Sequence, residues 1–234
     1  GAGGEAGRHG VGLRFGLLVD YADAALVAED ARGDRVRTLS DDTTVAHLSF
    51  GLAMVERLEL AVGVPLVAST RVESLDGQPG EDGPGVGDVR LLLKGVLRAR
   101  EGNGIGVGLA LPIKLPTGER GRWLGDSEVA VTPTLLVDGV VGRVYLASNL
   151  GYRFRDPEQV ADLVLDDELR ADVGMRVDLV AGLGVLAEVD LATAAREPFA
   201  DANTTPVQLV GGLRWAGLRC VSFTAVGGGA LSTG

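Results

Sequence analysis

Cysteine is nearly missing from this chain of 234 residues. Its one copy, Cys220, excludes an internal disulfide and any cysteine-built zinc cluster. Histidine is almost as scarce. His9 and His47 are too few for a His-rich metal centre, and the sequence gives no reason to expect a metal or a cofactor. Aromatic residues make up only 4%. No run of 18 apolar residues occurs, so no transmembrane helix is expected. The opening "GAGGEAGRHG" lacks the apolar centre of a secretory signal. A basic balance is lacking too: 22 Lys and Arg stand against 32 Asp and Glu, a formal net charge of -10. That removes the basic stripe a nucleic-acid binder needs.

What is abundant is apolar and small. Hydrophobic residues reach 46% and glycines number 36, while charged residues still hold 23%. Such a chain has too much apolar content to remain disordered. The apolar residues fall into a pattern of period two. In "VGLRFGLLVDY" the odd positions from Val11 to Tyr21 are apolar, while Arg14 and Asp20 lie on the other face. The same alternation returns in "TVAHLSFGLAM", "LELAVGVPLV", "DVRLLLKGVLR" and "IGVGLALPIKL". It continues through six segments of the second half, the last of them less regular. Period two over about ten residues marks a strand, because a helix repeats every 3.6.

The connections alternate as strictly as the faces. "ER" (Glu56, Arg57), "REGNG", "DG" (Asp138, Gly139), "AG" (Ala181, Gly182) and "AG" (Ala216, Gly217) are read as tight hairpin turns. Between them lie longer polar stretches such as "ESLDGQPGEDGPG" and "RDPEQVADLVLDDE". All tight turns therefore share one end of the sheet and all long loops the other. A soluble sandwich uses strands of about five or six residues, whereas an outer-membrane barrel needs about 9 to 11. Only a closed barrel lets strands pair every backbone group inside a bilayer. Length, loop asymmetry and mid-strand charges together predict an all-β, antiparallel, up-and-down transmembrane β-barrel. Tyr21, Tyr152 and Phe154 are expected at the long-loop interface and Trp215 at the other.

Eleven strands can be counted, and bacterial single-chain barrels have even numbers. About twelve strands are therefore expected when the barrel is complete. Residues 1–10 are read as an N-terminal periplasmic segment, and residues 11–234 as a barrel lacking its last strand.

The runs "HLSFGLAMVERLELAVGVPLV", "GVGDVRLLLKGVLR" and "GVGLALPIKLPTGERGRWLGDSEVAVTPTLLVD" resemble the N-terminal barrel of myxobacterial-type OmpA-family outer-membrane proteins. "LASNLGYRFRD" fits as well, and the likeness runs from about residue 11 to 230. The resemblance implies integral location in the bacterial outer membrane and passive passage of small solutes, and it supplies no catalytic residue. The barrel reading adds a structural role, with outer-membrane lipid and the barrel-assembly machinery as partners. The calcium-binding repeats and peptidoglycan-binding domain of that family have no counterpart in these residues.

The face opposite the lipid assigns a charged lumen. Its cations are Arg14, Arg90, Lys94, Arg98, Lys114, Arg143, Arg153, Arg170, Arg176 and Arg214. Its acids are Asp20, Glu59, Asp88, Glu128, Asp172, Asp178, Glu188 and Asp190, with His47 beside them. Both signs are about equal in number. Charges in such a place persist only when paired or wet, so the lumen is either salt-bridged shut or a hydrated passage.

Two other readings compete. His47 and Ser49 share a face, as an outer-membrane lipid hydrolase would need, but neither an orienting group nor an oxyanion site is legible. A soluble β-barrel with an internal ligand would carry the same alternation turned inside out. Glu188 and Asp190 could form an acid–base pair, although pairing with arginines of neighbouring strands is expected. Acidic loop residues Glu29, Asp30, Asp34, Asp41, Asp42, Glu81, Asp82, Asp166 and Asp167 could draw divalent cations, but are expected to be solvated tips. "GAGGEA" neither follows a strand nor opens a helix, so it is no dinucleotide fingerprint. "DPEQVADLVLDDE" suits one helical turn, and "NTT" at Asn203 matches a glycosylation acceptor that means little in a bacterial envelope.

Overall fold

The computed structural model describes residues 12–23, 26–29, 35–54, 57–72, 82–119, 124–125, 128–160, 163–200, 205–218 and 220–231. Its strands, in chain order, begin with β1 (Gly12–Ala22), β2 (Leu26–Glu29), β3 (Arg35–Met54), β4 (Leu58–Val72), β5 (Gly85–Val86) and β6 (Arg90–Arg98). Then come β7 (Ile105–Lys114), β8 (Ala130–Val131), β9 (Thr134–Val141), β10 (Val144–Arg153), β11 (Glu158–Val160) and β12 (Leu163–Leu165). The last four are β13 (Glu168–Asp178), β14 (Leu183–Ala194), β15 (Val207–Leu218) and β16 (Val221–Ala230). The N-terminal ten residues, Asp30, Asp34, Glu81 and Asn203 lie outside the described residues.

One antiparallel sheet forms the wall, in the order β1-β3-β4-β6-β7-β9-β10-β13-β14-β15-β16. Each strand pairs with the next along the chain, which is the up-and-down arrangement the alternation predicts. These eleven are the eleven segments counted from period two. Strands β2, β5 and β8 extend the wall locally, against β3, β4 and β7. Among the described residues no pairing joins β1 to β16. With eleven strands in strict alternation, these two edges run in the same direction.

Register keeps each apolar row on one face. Leu17 sits opposite Leu48, and Phe15 opposite Phe50. Val62 faces Leu91 on one edge and Phe50 on the other. Leu109 meets Leu135, Leu135 meets Leu150, and Leu146 meets Met175. Val173 meets Val189, which meets Leu209. A slip of one residue anywhere would reverse this face.

That face looks outward. Phe15 is 79% exposed, Leu17 68%, and Leu150 58%. Buried hydrophobic side chains, by contrast, are only Val67, Ala110 and Ala130 among the described residues. In a water-soluble barrel these rows would fill a dry interior, so the soluble reading does not describe this surface. The belt carries aromatic pairs at both rims and within it. Tyr152 and Phe154 lie 4.5 Å apart at the long-loop rim, and Trp215 stacks on Phe223 at 5.9 Å near the tight turns. Between them, Phe15 meets Phe50 edge-on at 5.1 Å.

The structure moves several boundaries. Asp138 and Gly139 lie inside β9, and the turn falls at Gly142–Arg143, where Gly142 adopts a φ of 61°. Ala216 and Gly217 likewise lie inside β15, at a register shift between Trp215 and Leu218. The Trp215 ring lies directly over Gly217, leaving no room for a Cβ there. At Ala181–Gly182 the turn stands where the sequence placed it, with φ values of 52° and 78°. The segment expected to hold a helical turn instead forms the two-stranded pair β11–β12, with Val160 opposite Leu163. Its ends are held by the antiparallel strands β10 and β13, and its Val and Leu residues suit extended backbone. The loop after β1 is extended too, since β2 pairs with the first part of β3.

Candidate functional site

The inward face of the wall encloses a cavity of about 1460 Å³. Residues from both edge strands line it, Arg14 of β1 and Thr224 of β16 among them, together with Lys94 and Asp172 from the wall between. The sheet is therefore curled around a common interior.

The expected lumen residues fall into three groups. Arg14, Arg90, Lys94, Arg98, Lys114, Arg153, Arg170, Asp172, Arg176, Glu188 and Arg214 line the cavity. Asp20, Glu59, Asp88, Asp178 and Asp190 belong to the inward rows or their rims without lining it. Asp20 accepts from His47 Nε2 at 3.0 Å, and Glu59 accepts from Arg14 Nη1 at 3.1 Å. Asp88, almost fully buried, accepts the Gly118 N–H at 2.8 Å and has the Lys114 ammonium at 3.8 Å. Asp178 takes Arg176 Nε at 2.9 Å. Glu128 and Arg143 form the third group and depart from the expectation. Glu128 is an exposed residue of the connection before β8, and Arg143 is exposed in the tight turn after β9. Arg143 falls there because β9 runs past the Asp138–Gly139 signal.

Four charged or aromatic lining residues stand outside the expected set, two from turns, where no period exists, and two on inward rows at strand ends near Asp138–Gly139, where a turn was expected. Arg57 and Arg100 come from tight connections, while Asp138 and Tyr145 come from the extended ends of β9 and β10. These last three form a cluster near the tight turns. Arg100 Nη1 donates to Asp138 Oδ2 at 3.0 Å. The Tyr145 ring has the Arg100 guanidinium 5.3 Å from its centroid and that of Arg176 at 4.9 Å. Two cations on one ring are attracted by its negative face, and Asp138 and Asp178 hold them from outside.

At the opposite end polar contacts tie down the long connections. Arg153 and Arg155 converge on Glu168, with Arg153 Nη1 at 3.1 Å. Asp167 accepts from the Tyr152 hydroxyl at 2.9 Å and from the Arg155 N–H at 3.1 Å. Asp166 pairs with Arg196 Nε at 2.9 Å. Asp42 pairs with Arg71 at 2.9 Å and accepts from the Tyr21 hydroxyl. These three aspartates were expected to be solvated tips and instead brace the rim. Thr193, the most deeply buried side chain, meets Thr205 at 3.1 Å and caps the Phe199 N–H at 2.9 Å.

One expectation about pairing fails. Among the described residues Glu188 and Asp190 meet no arginine. Asp190 stands in register with Asp172, and its carboxyl contacts both Asp172 and Glu188. Apart from Asp172, neighbouring strands offer Gly174, Val210 and Gln208 there rather than Arg, because Arg170 and Arg176 fall opposite Ala192 and Leu186. The rival hydrolase reading finds no pair either: His47 is given to Asp20, and the Ser49 hydroxyl donates to the Gly16 carbonyl at 3.3 Å.

Balance is the feature that changes most. Among the described residues, eleven Lys and Arg side chains line the cavity against the three carboxylates Asp138, Asp172 and Glu188. The reading of equal signs counted the inward face of each strand without its height. Several of the acids, such as Asp20 and Asp178, sit near strand ends. Among the described residues Arg90, Lys94, Arg98, Arg170 and Arg214 take part in no ion pair.

With outward grease and inward charge, the fold and site define an integral β-barrel of the bacterial outer-membrane class. A solved structure with this fold is the COG4313 outer membrane channel from Pseudomonas putida F1. It superposes with a TM-score of 0.64 over 95% of this chain and 87% of that one, at 16% identity. At that identity the likeness establishes the fold alone. No family model matches the chain, and no curated protein does.

Proposed function

We propose that this protein sits in the bacterial outer membrane and lets small hydrophilic solutes pass through its charged lumen. One observation carries the reading. A cavity of about 1460 Å³ inside an apolar belt holds cations that take part in no ion pair among the described residues. Unpaired charges in a dry interior would each cost several kcal/mol, so their presence requires water. The likeness to a channel supports the same reading. Planar-bilayer recording tests it: the purified protein should give discrete conductance steps, and a folded but silent barrel would overturn the pore.

Two finer points belong to this proposal. A further strand, antiparallel to both β1 and β16, closes the wall, because two edges running the same way cannot form an antiparallel pair with each other. Affiliation with OmpA-family barrels rests on the sequence motifs alone; none of the comparisons supports it. The residues likewise give no support to lipid hydrolysis, since His47 and Ser49 are engaged elsewhere, and His47→Ala should leave any lipid-hydrolysing background unchanged.

A further inference from the structure

We infer that the lumen selects for small anions. The inference rests on the pore reading above and adds the class of solute. The chain as a whole is acidic, with a net charge of -10, so composition argues the other way. Among the described residues the cavity nevertheless carries eleven cationic side chains against three carboxylates. Four more carboxylates reach lining cations from outside the cavity: Glu59, Asp88, Glu168 and Asp178. Asp190 lies beside Asp172 and Glu188 as well. Counting all of these raises the acids to eight, and cations remain in excess.

The excess is arranged along the passage rather than gathered at one point. Arg90, Lys94 and Arg98 recur every fourth residue of β6, all on its inward side. At about 3.3 Å per residue, successive charges stand roughly 13 Å apart along the strand. Their register neighbours do not neutralise them. Arg90 faces Lys114 across the ladder, two cations side by side, and Lys114 leans to Asp88 at 3.8 Å. Glu59 is in register with Lys94 but is held by Arg14 at 3.1 Å. Like charges directly opposite repel, and an anion between them relieves the repulsion. On other parts of the wall Arg170 and Arg214 are free of carboxylates among the described residues; Arg170 stands two residues from Asp172 on β13, and Arg214 four residues along β15 from Val210, the register partner of Glu188. Rings and ladders of Arg and Lys are the means by which pores favour anions. Low-dielectric walls focus that field and raise the local anion concentration.

Reversal potentials of the purified protein in a KCl gradient provide the test. Near 0.1 M salt the Debye length is about 10 Å, comparable to the spacing of the ladder. Chloride should then permeate about tenfold better than potassium. Near 1 M, where the Debye length is about 3 Å, the preference should largely vanish. Combined Arg90→Gln, Lys94→Gln and Arg170→Gln should bring the ratio toward unity while conductance steps persist. Lys94→Gln alone should move it in the same direction, should the triple variant fail to fold. Steps with equal or greater potassium permeability at low salt would overturn the anion inference and leave the pore standing. A silent bilayer would overturn the pore itself, and the selectivity with it.

Discussion

Strand β7 covers Ile105–Lys114 and strand β16 covers Val221–Ala230, ten residues each. β7 is hydrogen-bonded along both edges, to β6 on one side and to β8 and β9 on the other, and Gly106, Gly108 and Ala110 within it are buried. β16 has β15 on one edge and none on the other among the described residues, and every position is exposed. Both alternate small and apolar residues. What separates them is the neighbour: in a barrel, burial of the inward face comes from curvature and from strands on both sides. The difference teaches that the wall is cohesive in its middle and open to a partner at its seam.

Hydrogen exchange in detergent should display the contrast at its largest. Opening free energies range from near zero at frayed edges to the global value in the interior. Amides of β7 and β9 are expected to exchange about a thousandfold more slowly than the free-edge amides of β1 and β16. Equal protection would mean that both edges are already hydrogen-bonded in the protein, and would erase the contrast between middle and seam. A smaller effect comes from placing a charge on the lipid side of each region. Leu109→Arg, at mid-height of β7, should cost about 2–4 kcal/mol in vesicle unfolding titrations. Ala225→Arg on β16 should cost less, because the open edge allows the side chain to reach water. Reversed order would break the comparison. Smallest is the change inside the middle wall, where Tyr145→Ala removes the ring beneath Arg100 and Arg176. A loss of about 1 kcal/mol is expected from cation–π contacts, read as a lower unfolding midpoint.

The wall was legible in the sequence because both faces of each strand keep their character over ten residues. Leu48, Phe50 and Leu52 against His47, Ser49 and Gly51 leave no other period. Turn chemistry was a poorer guide. Asp138–Gly139 looks like a hairpin, yet Asp138 is needed within the strand to hold Arg100 at 3.0 Å. Alternation also reports which side a residue faces and not how high it stands. Asp20 and Asp172 therefore looked equivalent, although only Asp172 lines the cavity. Arg57 and Arg100 were missed for a related reason: they reach the lumen from turns, where no period exists.

The twenty residues of β3 are twice what a crossing needs. At about 3.4 Å per residue the strand spans close to 70 Å, whereas the apolar band of such barrels is about 25 Å tall. Even tilted, its Arg35 end, paired with β2 and joined by β4 only from Ser40 onward, must project beyond that band. That overhang stands clear of the apolar band, so its sequence can drift without disturbing the cavity enclosed below.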